Sequence, residues 1–418
     1  MTSALLWVFF GLLALAVPVA HAMVGGVAAA LWLADRPMAV IAQRLYTPTQ
    51  SFPMLAIPFF ILAGSLMMSG RFGVYLVDIA RLLVGRFKGG LGQVSIIGSV
   101  MFGGVSGSAV ADASAMGNAL IPVQLKEGYP RGFAAAVNAS SSTVSVLIPP
   151  SIPLILYGLV SNTSIIDLFV AGVLPGVMLA VGMFAAVAWV ARRRDLPRAP
   201  LAGGFRAFRG EILSALPALL MPVFVIGTLR FGIATPTEVS VMAVAYALLV
   251  SGVIYRDLTL RGIWAAVVET GVMTGAVMLI IMASSTIQWV LTAEQVPQAL
   301  TGWVTGTLSE PWMVILALNL VMLVVGAFLD LPAAVLLLGP LFVTIGQAIG
   351  LDPVQLGLMM VVNLSIGLYT PPVGTTLFIS AGIAGAGIGE VVRALVPFYL
   401  VALLVLLLIS YVPWLTIY

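Results

Sequence analysis

Ser108-Ala-Val-Ala-Asp112-Ala-Ser-Ala-Met-Gly-Asn-Ala-Leu-Ile-Pro122 and Gly326-Ala-Phe-Leu-Asp330-Leu-Pro-Ala-Ala-Val-Leu-Leu-Leu-Gly-Pro340 read as one device written twice. Each stretch opens on a small residue, places an Asp four positions on, and carries a Pro ten positions after the Asp. Each is followed by a polar segment ending in Pro-Pro: Ser140-Ser141-Ser142-Thr143 before Pro149-Pro150, and Asn363 to Thr370 before Pro371-Pro372. The offset between copies is 330 − 112 = 218 at the Asp and 371 − 149 = 222 at the proline pair. An internal duplication of apolar segments interrupted by Gly and Pro marks matched halves, with the special chemistry at the interruptions.

Composition sets the solvent around this duplication. Of 418 residues, 61% are hydrophobic and 8% charged, against roughly 25% charged in a soluble domain. So much apolar surface belongs in lipid. With no cysteine there is neither a disulfide framework nor a thiolate metal site. The single His21 lies in an apolar helix and reads as a packing residue before a proton carrier. One histidine excludes a Ser–His–Asp or Cys–His set, and no Walker-type run is present, so nothing points to an enzyme. The net charge of +3 comes from Arg clusters in loops, which read as topology signals rather than nucleic-acid contacts.

A spanning helix needs about 20 apolar residues. Candidate spans are Leu5–Leu33, bent at Pro18, then Phe52–Met68, Phe133–Leu159, Leu168–Ala191, Ile212–Leu229, Glu238–Tyr255, Ile263–Val290, Leu356–Ala384 and Leu395–Tyr411. Two stretches, Leu91–Gln124 and Trp312–Ile349, have polar or Gly-rich middles and read as hairpins that dip into the membrane and return. Arg71–Lys88, before the first hairpin, reads as an interfacial amphipathic helix, with Thr292–Glu310 as its counterpart. The expected fold class is an all-α polytopic membrane protein with inverted repeats, two re-entrant hairpins and two broken helices. Its divisions are 1–50 (N-terminal membrane helix and connector), 51–191 (first repeat), 192–261 (linker and scaffold helices) and 262–418 (second repeat).

Lys and Arg gather at Arg71–Lys88, Lys126–Arg131, Arg192–Arg209 and Arg256–Arg261, and are absent from Ser161–Asp167, Thr292–Glu310 and Gly350–Asp352. The first set is then cytoplasmic and the second external, so the two hairpins enter from opposite sides. Arg36, Arg44 and Arg230 depart from this pattern and leave the N-terminal orientation open.

Gly103-Gly-Val-Ser106-Gly-Ser108 is small and polar in an apolar setting. It serves either a close helix contact or, through free carbonyls and hydroxyls, a hard cation such as Na⁺. Consecutive Ser and Thr at 138–145, followed by Pro149-Pro150, predict a helix broken at mid-membrane. The segment from Asn363 through Thr370, Gly374 and Thr375 predicts its twin. Broken ends expose carbonyls to cations and amide N–H groups to carboxylates. Asp112 and Asp330 read first as caps of the returning hairpin helices and second as charges beside a cation. No Arg or Lys lies at the hairpin tips or the breaks, so an anionic cargo would lean on helix N-termini, hydroxyls and bound cations.

With these residues laid out, the chain resembles the large membrane (DctM-like) subunit of TRAP transporters, the tripartite ATP-independent periplasmic carriers of organic acids, within the ion-transporter superfamily. The matches are Pro58-Phe-Phe-Ile-Leu-Ala-Gly64, Gly89-Gly90, Gly104-Val-Ser-Gly-Ser-Ala-Val-Ala-Asp112, Gly128-Tyr129, Ile148-Pro-Pro-Ser151, Ala171-Gly-Val-Leu-Pro-Gly176, Asp352-Pro353 and Thr370-Pro-Pro-Val-Gly374. They run in family order from about residue 50 to the C-terminus. The resemblance implies an elevator-type carrier in a bacterial inner membrane, coupled to Na⁺ and needing no other cofactor. It implies a small four-helix membrane subunit and a periplasmic substrate-binding protein as partners. The cargo would be a small carboxylate such as a C4-dicarboxylate or sugar acid. One Na⁺ site would use Ser106 and Ser108 with Ser141, Thr143 and Ser145; the other would use Gly326, Gly367, Thr370 and Gly374. The remaining polar residues of the breaks, Asn138, Ser140, Asn363, Ser365 and Thr375, would face the substrate. Leu331-Pro332 after Asp330 departs from the family pattern at the second tip. A stand-alone carrier of the same superfamily is the alternative.

Overall fold

The computed structural model describes residues 1–68, 72–85, 87–198, 205–308 and 310–416, with side chains throughout except at 72–74, 205–215 and 218. Arg71, Arg86 and the middle of the linker, 199–204, which the sequence reading used, lie outside the described residues. The described chain is helical, without a β-strand. Six of its helices are long and apolar enough to cross a membrane.

The N-terminal stretch is not one bent span. It forms two helices, α1 (Thr2–Ala14) and α2 (Val19–Leu33), that fold back on each other. Ala16 turns the chain at φ 60° and Pro18 opens the second helix. Gly26 lets them touch, since a Cβ there would lie 3.0 Å from the Leu5 carbonyl oxygen. At 1.5 Å per residue a helix of 13 residues reaches about 20 Å, short of the roughly 30 Å hydrocarbon layer. His21 lies on the exposed face of α2, so the packing role read for it is not what the structure gives. A short helix, α3 (Ala39–Tyr46), leads through a 69° bend into α4 (Ala56–Met68).

Two series of elements then follow in the same order. After α4 come an amphipathic arm, α5 (Phe72–Val84), a hairpin of α6 (Gly90–Ser106) and α7 (Ala109–Lys126), a broken helix of α8 (Arg131–Ser141) and α9 (Ile152–Ser161), and a long helix, α10 (Ile165–Arg193). Two linking helices, α11 (Phe205–Arg230) and α12 (Pro236–Leu249), connect the series. The second series has a long helix α13 (Leu260–Ala293), an arm α14 (Val296–Thr307), a hairpin of α15 (Pro311–Phe328) and α16 (Leu331–Ala348), a broken helix of α17 (Pro353–Gly367) and α18 (Thr375–Ala384), and α19 (Ile388–Tyr411).

Local chemistry explains where these helices start. Thr235 and Glu238 form a reciprocal capping box before Pro236. Asp352 accepts from the N–H groups of Val354 and Gln355, with Pro353 at the first helical position. Thr259 and Ser164 cap α13 and α10. Satisfying these N–H groups matters most where no water reaches them.

Contacts between distant residues sort the ends onto two faces. On one, Lys88 pairs with Asp195, Arg131 donates to the Gly385 carbonyl at 3.3 Å and the Gly132 N–H donates to Glu390 at 2.9 Å. The Lys88 hydrogen bond, and then its charge, hold the exposed Asp195 carboxyl below the usual carboxylate range. On the other face, Tyr157 donates to the Pro353 carbonyl at 2.7 Å and Tyr411 to the Trp312 carbonyl at 3.0 Å. The N-terminal amine lies 3.3 Å from Glu294, at the end of α13 on this second face. The core joins both hairpins and both broken helices, with α4, α12 and the inner face of α13 along one side.

Candidate functional site

Each hairpin tip is pressed onto the break of its own series. In the first, α6 stops at Gly107, whose φ of 59° suits glycine. A Cβ on Gly107 would fall 2.0 Å from the Pro150 carbonyl oxygen, and one on Gly103 would fall 2.6 Å from Ser145 Cα. In the second, a Cβ on Gly367 would fall 2.1 Å from the Gly326 carbonyl oxygen, and the Val373 N–H donates to the Ala327 carbonyl at 3.2 Å. Both proline pairs, Pro149-Pro150 and Pro371-Pro372, contain a cis bond.

The offset relating the two tips is 222 throughout: 330 − 108 for the residues that open α16 and α7, 367 − 145 for the seats in the breaks, and 371 − 149 for the prolines. The partner of Asp330 is therefore Ser108, not Asp112. Ser108 occupies the cap position, its Oγ accepting from the Ala111 N–H at 3.4 Å, and Asp112 lies one turn inside α7. The capping role expected of Asp112 is thus filled by Ser108. Asp330 does stand at the cap position but makes no side-chain capping bond. Asp112 is fully buried, with neither carboxylate oxygen hydrogen-bonded. It lies beside Ser99, whose hydroxyl is directed to Ser141 at 3.2 Å.

Of the residues read as cation ligands, Ser145 lies against Gly103 at the first seat and Gly326 against Gly367 at the second, whereas Ser141 accepts from Ser99 in the middle of α6. Ser106 Oγ accepts from the Ser108 N–H at 3.3 Å, tightening the first tip. Thr143 and Ser145 donate their hydroxyl hydrogens to carbonyls three residues back, at 2.7 and 2.6 Å, which leaves their oxygen lone pairs free to accept. Thr370 donates to the Ile366 carbonyl, four residues back, at 2.7 Å, and Gly374 opens α18.

The residues read as substrate contacts fare differently. Asn138 donates to the Ala113 carbonyl at 2.8 Å and to Ser380 at 2.9 Å. Asn363 donates to the carbonyl and side-chain oxygens of Asn319, both at 2.9 Å. Ser140 and Ser365 bond back to Ala136 and Val362. Thr375 Oγ1 is buried without a partner. None of the five lines the cavity between the tips. Asn138 and Asn363 join helices instead, and Thr376 adds a bond from α18 to the Ala139 carbonyl of α8 at 3.1 Å.

That cavity, of about 500 Å³, lies between the tips and the helices α4 and α13. Ser106, Gly107 and Ser108 reach it from the first tip, and Asp330, Leu331 and Pro332 from the second. Ile152 and Pro153 reach it from the start of α9. Three helix N-termini, those of α7, α9 and α16, therefore converge on one space, which favours an anion there. The opposite wall carries Ser65, Met68, Met273 and Glu269. The sequence reading missed Glu269; the signal was a lone acid inside an otherwise apolar span. Among the described lining residues the ionisable ones are Glu269 and Asp330, with no Lys, Arg or His.

Comparison with known proteins agrees with this fold. The family described as the DctM component of the tripartite ATP-independent periplasmic transporter matches residues 6–415. The chain is 51% identical, over 100% of both chains, to an uncharacterized protein (y4mL) of Sinorhizobium fredii. It is 36% identical to the C4-dicarboxylate TRAP transporter large permease protein of Pseudomonas aeruginosa, over 89% of this chain and 87% of that one. The fold is similar to that of the Alcanivorax borkumensis YdaH transporter, with a TM-score of 0.58 and 16% identity over 88% of this chain and 86% of that one. A multi-pass helical chain that matches this family nearly end to end is a permease rather than an enzyme, and it belongs to the DctM component family of the tripartite ATP-independent periplasmic transporters.

Proposed function

We propose that this chain is the large membrane subunit of a Na⁺-coupled importer of a small organic anion in a bacterial inner membrane. It works with a small membrane subunit and a periplasmic binding protein that delivers the cargo. The observation that carries the reading is the paired seating of the tips: each on the break of its own series, at a constant offset of 222, both facing one cavity. The repeats are 51–191 and 262–418, with 1–50 and 192–261 as accessory segments. The face bearing Lys88 and Arg131 is cytoplasmic, and the face bearing Trp312 and Pro353 is external.

In mechanism, one Na⁺ sits at the seat of Ser106 and Ser108 with Ser141, Thr143 and Ser145. The other sits at the seat of Gly326, Gly367, Thr370 and Gly374. Each ion draws a tip onto its break and lowers the cost of holding an anion among the three helix N-termini. Bonds from Asn138 and Thr376 join the two broken helices, so the hairpins and breaks travel as one block past α4 and α13. Each Na⁺ charge crossing 100 mV contributes about 2.3 kcal/mol of work.

The test is uptake of labelled C4-dicarboxylates and sugar acids into proteoliposomes holding this chain and its small subunit. A Na⁺ gradient is imposed, with and without the binding protein. Uptake that requires both is the expected result. Uptake without binding protein would make the chain a stand-alone carrier, and Na⁺-independent uptake would remove the coupling ion.

A further inference from the structure

We propose that Glu269 is a release residue: a fixed negative charge on α13 that the carried anion meets only while the cavity faces the cytoplasm. The inference rests on the functional reading above and adds a direction to it. On α13 the cavity runs from Glu269 to Ile280, across the middle of the helix, and Glu269 is the lining residue nearest the end that begins at Leu260 beside Arg256 and Arg261. On α4 it touches Gly64, Ser65 and Met68, at the end that leads to the arm before Lys88. Glu269 and Met68 thus mark the cytoplasmic end of the cavity, by which the anion would leave inward.

Glu269 is exposed at the edge of the cavity, in Val267-Val268-Glu269-Thr270-Gly271-Val272, where a face turned only to lipid would carry Val or Leu. A carboxylate is costly at such a place unless it acts on something. Across the cavity it faces the first tip and Asp330, not a base, since no Lys, Arg or His lines the space among the described residues. Glu269 belongs to the wall, whereas the helix N-termini that hold the anion belong to the block. Once the block slides outward, the anion leaves Glu269 behind. A group that touches only one of two states shifts the equilibrium between them by its differential interaction alone. Two like charges lining one partly screened cavity repel enough to weaken binding about tenfold. The carrier thus holds its cargo less tightly on the cytoplasmic side, which speeds product release, often the slow step of such a cycle.

The test compares wild type, Glu269→Gln and Glu269→Asp in proteoliposomes with the small subunit and binding protein. The probe is whichever of labelled succinate, malate, fumarate or gluconate wild type takes up under a Na⁺ gradient. Half-saturation is read separately for substrate presented inside, by counterflow, and outside, through the binding protein. The expected result is an internal half-saturation about tenfold lower in Glu269→Gln, an unchanged external value, a slower net uptake, and near-wild-type behaviour in Glu269→Asp. An unchanged internal value, an equal shift on both sides, or an Asp variant as altered as the Gln variant would overturn the proposal. Failure of wild type itself to show Na⁺-driven uptake of any probe would instead remove the functional reading, and this inference with it.

Discussion

Gly367→Ala is the sharpest test of the second cation seat. The added Cβ would stand 2.1 Å from the Gly326 carbonyl oxygen, 2.4 Å from its carbon and 2.8 Å from its Cα. All three are backbone atoms, so no side chain can swing aside. Relief to ordinary contact requires the end of α15 to move by about 1 Å, at a packing cost of about 1–3 kcal/mol. Metal–oxygen distances tolerate about 0.2 Å, so a seat built from the Gly326 and Gly367 backbone loses its ion. The assay is thermal unfolding of purified protein across a Na⁺ titration. At a Na⁺ concentration of 100 times Kd, binding stabilises wild type by about 2.7 kcal/mol; a 30-fold weaker site leaves about 0.9 kcal/mol. Gly382→Ala is the control: it lies in α18 of the same broken helix, and nothing stands within 4 Å of its added Cβ. That variant keeps the full Na⁺ response. A Gly367→Ala protein with wild-type Na⁺ stabilisation and uptake would refute the reasoning.

Ser106→Ala removes the acceptor of the Ser108 N–H; Na⁺-driven uptake is expected to fall about tenfold, the scale of one hydrogen bond, with membrane insertion unchanged, and normal uptake would remove Ser106 from the site. Asn319→Leu deprives buried Asn363 of its side-chain acceptor and Ser410 of an amide donor; a stability loss of about 1–3 kcal/mol is expected, read as a lower unfolding midpoint, and an unchanged midpoint would show that these two bonds carry no stability. Gly26→Leu drives a side chain into the Leu5 backbone; faster amide exchange across 2–33, with exchange in 353–384 unchanged, is the expected signature of a loosened N-terminal hairpin.

Much of this architecture was legible because lipid leaves few choices. Apolar runs had to be helices, and Gly and Pro within them had to be tips or breaks. The arms, both hairpins and both breaks lie where the periodicity and the Pro pairs placed them. The register of the repeat was less legible. Asp112 lies four residues, about one helical turn, beyond Ser108, so a pattern keyed on Asp matched the wrong turn although Pro149 and Pro371 already gave the true offset. Asn138 and Asn363 looked like ligands because they are polar and deep. Their amides are committed to neighbouring helices, and residue type alone does not say which way a buried amide is spent. The first span misled by length: Leu5–Leu33 is long enough to cross, and only the contact of Gly26 with Leu5 distinguishes a fold-back from a crossing.

The length of α13 has a mechanical consequence. Its 34 residues make a rod of about 51 Å. Even tilted by 40°, such a rod rises about 39 Å, more than the roughly 30 Å of a bilayer's hydrocarbon. Lipid beside it must thicken, or polar headgroups must meet exposed apolar side chains such as Trp264, Val267 and Val268. In the proposed cycle an oblique rail would also convert lift into sideways travel, so a block guided along it would slew as it climbs. Acyl-chain length would then be a variable of that cycle, because a thicker membrane stands the rail more upright and straightens the path of whatever moves along it.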